Sequence, residues 1–186
     1  TANDIHPPLY YLTLHAWSAF AGTSVIAVRS LSVLFGIITV MLTALLGKRL
    51  FGWQVAFFAM LAASVAPFAI HYSQETRMYM MVTMLAAASW LLVIELLATK
   101  NTDKSQFFSR IGYFTITLAL VYTHYYAVSV VVAQNVAWLW LTIRTKRWQR
   151  AWWAKWIVLQ ALIVLLYLPW LWYARHTILN WPSISD

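Results

Sequence analysis

Long stretches of this chain carry no formal charge, and that limits its fold more than any motif does. Residues 30–47, 50–70, 78–94 and 156–174 are each free of Asp, Glu, Lys and Arg. A bilayer core takes about 17–25 apolar residues per helix. Overall 62% of residues are hydrophobic and 10% charged, with a mean hydropathy of +0.68, whereas soluble domains are about 25% charged. A soluble globular class is therefore excluded. Period-two alternation is absent, so helices, not a barrel, must satisfy the backbone in lipid. The expected fold is all-α, a polytopic transmembrane helix bundle.

The net charge of +8 raises nucleic acid as a partner, and its distribution excludes it. Ten of the thirteen basic residues fall in three links between apolar segments: Lys48 and Arg49; Lys100, Lys104 and Arg110; Arg144, Lys146, Arg147, Arg150 and Lys155. The links at 71–77 and 123–126, and the segment from Arg175, hold almost none. Cytoplasmic loops concentrate Lys and Arg, so the basic links face the cytoplasm and the others face outward. Positive charge here marks topology.

The first segment, 7–28, is uncharged and long enough to cross, but crossing would invert every later span and put the basic links outside. It is expected instead as an interfacial helix over 7–25, with its tyrosines and tryptophan among headgroups. About six spans follow, at 28–47, 53–70, 78–98, 107–122, 127–143 and 156–173. Between Arg110 and Arg144 only 33 residues lack formal charge; two helices fit there if Arg110 snorkels, and one tilted helix is the alternative. The whole of 1–186 reads as one transmembrane domain, with an outer loop and interfacial helix over 1–27 and the membrane helices over 28–186. No internal repeat or low-complexity run is present.

There is no cysteine, so thiols say nothing about redox compartment. The start at "TANDIHPP", without a methionine or a basic leader, and the end at "NWPSISD" are read as those of a fragment of a longer chain.

Under this topology the unusual residues collect on the outer side. Asp4, His6 and Pro7-Pro8 precede the first helix; His71, Gln74, Glu75 and Arg77 occupy the second outer link; His124, Tyr125 and Tyr126 form the third; Arg175, His176 and Trp181 lie near the end. Each has an ordinary reading. A Glu-Arg pair beside a membrane is also what an interfacial ion pair looks like, and His-Pro-Pro is also a rigid lead-in to a helix. Thr-His-Tyr-Tyr also suits an aromatic belt.

Taken in order, "HPPLYYLTLHAWSAFAG", "VRSLSVLFG", "KRLFG", "APFAIHYSQETRMYM", "YTHYY" and "LPWL" resemble the corresponding series in glycosyltransferase family 39, which includes protein O-mannosyltransferases and the aminoarabinose transferase acting on lipid A. The pairing of HPPLYY with YSQE-x-R-M-Y is the specific part of the likeness. The resemblance implies a GT-C fold in the bacterial inner (plasma) membrane. It also implies transfer of a hexose or mannose-type sugar from a polyprenyl-phosphate carrier to a protein, lipid or glycan acceptor at the outer face.

A leaving phosphate at the membrane surface calls for a fixed cation, and an arginine fork suits a phosphate because it stays protonated and donates two hydrogen bonds. Arg77 is the first candidate. His6 stands where relatives carry a lysine near the carrier phosphate, and histidine changes charge near neutral pH. Gln74 and Glu75 are expected to orient Arg77 or to meet sugar hydroxyls, and Tyr79 and Tyr125 to line the same substrate site. The resemblance gives His124 one of two roles, orienting an acid or ligating a divalent metal; zinc would need about three protein ligands. No other cofactor is expected.

The chain departs from the family in its acid. The catalytic carboxylate of an Asp-Glu motif falls before Thr1, and Asp4 is the one outer aspartate near that region. Deprotonation of an acceptor needs a base, so the fragment alone is expected to be inactive. A transporter or flippase-like protein, with Glu75 and Arg77 lining a path, is the alternative reading. Such proteins favour discontinuous helices with polar positions near the midplane.

Overall fold

The computed structural model describes residues 6–98, 103–145 and 150–179, and every regular element among them is helical. A short helix α1 (Leu9–Ala21) precedes the long α2 (Val25–Phe51). The chain continues through α3 (Trp53–Val65), α4 (Pro67–Ser73), α5 (Tyr79–Leu97), α6 (Asp103–Val121), α7 (Ala127–Arg144) and α8 (Arg150–Leu179). Four of these, α2, α5, α7 and α8 as far as Arg175, are long and apolar enough to cross a bilayer. The pair α3 and α4, bent by 55° at Ala66, makes a fifth crossing if counted as one span. Between Arg110 and Arg144 the two expected helices are present as separate elements, α6 and α7, joined by residues 122–126, and not the alternative of one tilted helix.

Local chemistry sets the boundaries. Ser24 caps α2 by accepting the Ala27 N–H at 3.2 Å. At the far end Gly52, with φ +93°, takes a conformation that side chains disfavour, and the chain reverses at once into α3. The hairpin closes tightly below that turn. A Cβ on Gly47 would lie 3.1 Å from the Ala56 Cα, so glycine allows the two backbones to meet.

The span expected over 53–70 is broken, not continuous. Pro67 has no N–H to give the preceding turn and pushes Ala66 into an extended conformation (φ −63°, ψ 121°). The consequence is a short helix, α4, tilted away from α3.

Large apolar side chains are exposed along the flanks, among them Phe57, Phe58, Leu61, Val158, Val164 and Leu165. That is the inverse of a water-soluble fold, and lipid removes its cost. Between helices there is no comparable hydrophobic drive in a bilayer, so packing and buried polar bonds hold the bundle. One such network crosses the centre. Tyr113 donates to Gln134 Oε1 (3.0 Å), and Gln134 donates to Ser89 (2.7 Å). Gln160 donates to the Tyr113 hydroxyl (3.2 Å), Asn135 to Gln160 (3.2 Å), and Trp156 to Asn135 (2.9 Å). Four helices, α5 to α8, are tied together by it.

Because the long helices alternate in direction, their links segregate to two ends. At one end Arg49 pairs with Glu95, and Gln106 donates to the Glu95 carbonyl; Lys48, Arg144 and Arg150 belong to the same end. The opposite end gathers α1, residues 74–78 and residues 122–126.

Candidate functional site

Four segments are latched in two pairs at that second end. Ser32 on α2 is fully buried, and its hydroxyl donates to the Glu75 carbonyl at 2.6 Å, anchoring the 74–78 link. The Leu9 N–H at the start of α1 donates to the Tyr122 carbonyl at 3.1 Å, joining α1 to the 122–126 link. Pro7 is buried beside that junction, and its lack of an N–H is harmless ahead of a helix. Tyr10 fills the space near Ser32, and burial raises its phenol pKa, an effect the Ser32 hydroxyl partly offsets.

Side chains on this frame form a continuous line of rings. Phe68 packs on Tyr72 (4.4 Å between centroids), and Tyr72 packs on Tyr79 (4.7 Å) and, edge-on, on His71 (5.0 Å). Tyr79 faces His124 (6.1 Å), which faces His6 (5.2 Å) and stacks on Tyr126 (5.0 Å). These separations are those at which aromatic pairs attract.

His124 is buried, and its Nδ1 accepts the Tyr126 N–H at 3.1 Å. The neutral ring therefore carries its hydrogen on Nε2. Burial is the larger cause lowering its pKa below the ordinary histidine value, and the charge of His6 is the second. Both causes disfavour the protonated ring.

The charged residues stand at the rim. Glu75 Oε1 lies 3.3 Å from His71 Nε2, and Glu75 Oε2 lies 4.0 Å from Arg77 Nε. The Arg77 side chain remains 64% exposed. Gln74 is exposed as well, and its N–H closes the end of α4 on the His71 carbonyl (3.1 Å). Tyr125 is half-buried.

Of the residues singled out in the sequence, His6, Tyr79 and His124 come together in the ring line. Glu75 and Arg77 meet at the rim, and Tyr72 bridges the two groups through its contacts with His71 and Tyr79. Asp4 and Trp181 lie outside the described residues, as does the side chain of His176. Arg175 stacks its guanidinium over Trp172 at 3.5 Å, as an interfacial anchor does. His124 is expected to orient an acid or ligate a metal. No carboxylate pairs with it among the described residues, and those residues place no three His, Asp or Glu side chains around a point where one ion could sit.

Sequence reasoning passed over Ser32, Tyr72 and the part His71 plays. The His71–Glu75 contact had a legible signal, its i,i+4 spacing at a helix end. Ser32 had none, because its partner is 43 residues away. No family model matches this chain, and no curated protein or solved structure matches it either. The likeness to glycosyltransferase family 39 therefore stands on the quoted motifs alone.

Proposed function

We propose that this chain is the membrane part of a glycosyltransferase that moves a hexose or mannose-type sugar from a polyprenyl-phosphate carrier to an acceptor at the outer face of a bacterial inner membrane. The observation that carries the reading is the convergence, at the bundle end remote from the basic links, of an exposed arginine with the ring line. Under this reading α6 is also a span, which makes six crossings in a GT-C-like arrangement. Its 19 residues cover about 28 Å at 1.5 Å each. Its first turns bond to the end of α5 through Gln106, and its last residues lead to Tyr122 beside α1. Arg110, half-buried, reaches toward headgroups by snorkelling.

In the reaction the bond from the anomeric carbon to the carrier phosphate breaks, and the acceptor oxygen bonds to that carbon. The acceptor proton passes to a base, and the carrier leaves as a phosphate monoester. Arg77 faces outward at headgroup level, where its fork can hold the phosphate and offset the charge that develops on it. Gln74, Tyr79 and Tyr125 offer polar groups to the sugar, and His6 lies at the inner end of the ring line. Among the described residues the carboxylate at this end is Glu75, and it is engaged with His71 and Arg77.

The test uses membranes containing the full-length protein and a radiolabelled polyprenyl-phosphate sugar. Wild type transfers label, and Arg77→Ala does not; transfer retained by the variant removes Arg77 from the phosphate site. Orientation is checked separately. The sequence has no native cysteine, so a single Glu75→Cys reports its side of the membrane with an impermeant maleimide. Labelling from the cytosolic side alone overturns the arrangement.

One observation favours a transporter, the break between α3 and α4. Thirteen residues of α3 put it about 20 Å from the basic end at 1.5 Å per residue, beyond the middle of a bilayer core of about 30 Å. Its neighbours Ser64, Ala66 and Phe68 carry no charge. A transporter would move a labelled substrate across sealed vesicles without forming a glycosylated product.

A further inference from the structure

At the rim one carboxylate stands between two basic side chains and offers a different oxygen to each. His71 takes Oε1 at 3.3 Å and Arg77 lies 4.0 Å from Oε2. The first contact spans the end of α4: His71 lies in its last turn and Glu75 two residues beyond Ser73. The second is at the limit of an ion pair and joins two exposed groups. With His71 neutral, the charges of Glu75 and Arg77 cancel. With His71 protonated, a charge-assisted bond holds Glu75, and the cluster carries one net positive charge.

We propose that Glu75 gates Arg77: protonation of His71 engages the carboxylate and frees the guanidinium, so the rim binds a phosphodiester headgroup more tightly in mild acid than in mild base. The gate rests on the assignment of Arg77 to a lipid phosphate made above. Imidazole as a side-chain type changes charge between about pH 5 and 8, whereas a phosphodiester keeps a single negative charge throughout. Any change in affinity over that range belongs to the protein.

The surroundings of His71 add no competing anion among the described residues. On its own helix Tyr72 meets it edge-on. From α5 Tyr79 approaches through Tyr72, and from α2 the Ser73–Gly36 contact is uncharged. Arg29 lies in the first turns of α2 at the same end and is a second fixed cation. His6 and His124 lie on the far side of Tyr79 and must be separated from His71 by experiment.

Calorimetric titration of the full-length protein in detergent, at about 0.15 M salt, with a ten-carbon prenyl phosphohexose as probe makes that separation. One added charge a few ångströms from the phosphate, screened by water and salt, changes affinity roughly three- to fivefold. Wild type is expected to bind that much more tightly at pH 5.5 than at pH 8.5. His71→Gln is expected to bind weakly at both, and Glu75→Gln tightly at both. A pH dependence that survives His71→Gln overturns the gate and assigns the effect to His6 or His124. Glu75→Gln binding no more tightly than wild type at pH 8.5 also overturns it, as does pH-independent wild-type binding. Arg77→Ala separates the two levels. Weak binding at both pH values keeps the phosphate site whatever happens to the gate, and wild-type binding by this variant removes the site itself.

Discussion

At the basic end of the bundle Arg49 pairs with Glu95, Lys48 lies over the Trp53 ring at 5.2 Å, and Arg144 lies over Trp140 at 5.1 Å. At the other end Glu75 is divided between His71 and Arg77, and His6 and His124 face one another with no carboxylate pairing with His124 among the described residues. The residue types are much alike, but their use differs. Cations near a rigid helix terminus can settle on a neighbouring indole or acid and serve as anchors. On the link that the Ser32 hydroxyl anchors, Arg77 lies 4.0 Å from Glu75, at the limit of an ion pair. The two ends differ in how closely an arginine meets its acid.

The most severe way to break this contrast is to remove the available charge. Arg77→Ala is expected to lower sugar transfer on the order of 100-fold or more, the scale of losing one charge-stabilising donor in a reaction site. Arg77→Lys should recover only part, because the fork is lost. Arg49→Ala, at the basic end, should leave transfer within about twofold in the same assay.

Next in size is the polar network between the ends. Gln134 is fully buried and bridges Tyr113 and Ser89, so Gln134→Leu leaves polar atoms short of partners. A loss of about 1–2 kcal/mol in unfolding free energy is expected, read as a lower midpoint of thermal unfolding in detergent. No change would show that packing alone holds α5 to α8.

His124 makes the site end sensitive to acid. Its folded pKa lies below the ordinary histidine value of 6.5, so the unfolded chain binds its proton first. The stability it contributes is fully present above about pH 6.5 and is lost as pH falls below that toward the depressed value. Thermal melts across pH 5–7.5 should show this decline, and His124→Gln should flatten it. The smallest effect belongs to the Arg49–Glu95 pair. With Arg49 60% exposed, Glu95→Gln should change stability by about 0.5 kcal/mol or less, and less still at high salt.

Helix boundaries were largely legible where charge or a turn residue marked them. The spans expected to begin at 78 and 127 begin at Tyr79 and Ala127, because polar links cannot enter lipid and apolar helices need not leave it. Proline was the less legible signal. Pro67 breaks a helix, whereas Pro169 lies inside an unbroken α8. The difference lies in the neighbours. Tyr122 donates to the Leu166 carbonyl at 2.7 Å, in the turn before Pro169, where a proline loosens the helical ladder and frees acceptors. At Pro67 the flanking Ala66 and Phe68 face outward or lie half-covered.

The candidate site divides in the same way. His6, Glu75, Arg77 and His124 drew notice as polar residues flanking apolar runs, and the basic links pointed to one side for all of them. Ser32 and Tyr72 look like ordinary members of a helix. Their importance comes from partners on other helices.

The sequence by itself determined the solvent, the helical class and the sorting of links into a basic set and a polar aromatic set, since all three follow from the cost of charge in hydrocarbon. Tertiary structure alone decided which side chains meet across those links. Hydrogen bonds and ring contacts depend on ångström separations between segments tens of residues apart, and residue order along one chain does not encode these locally.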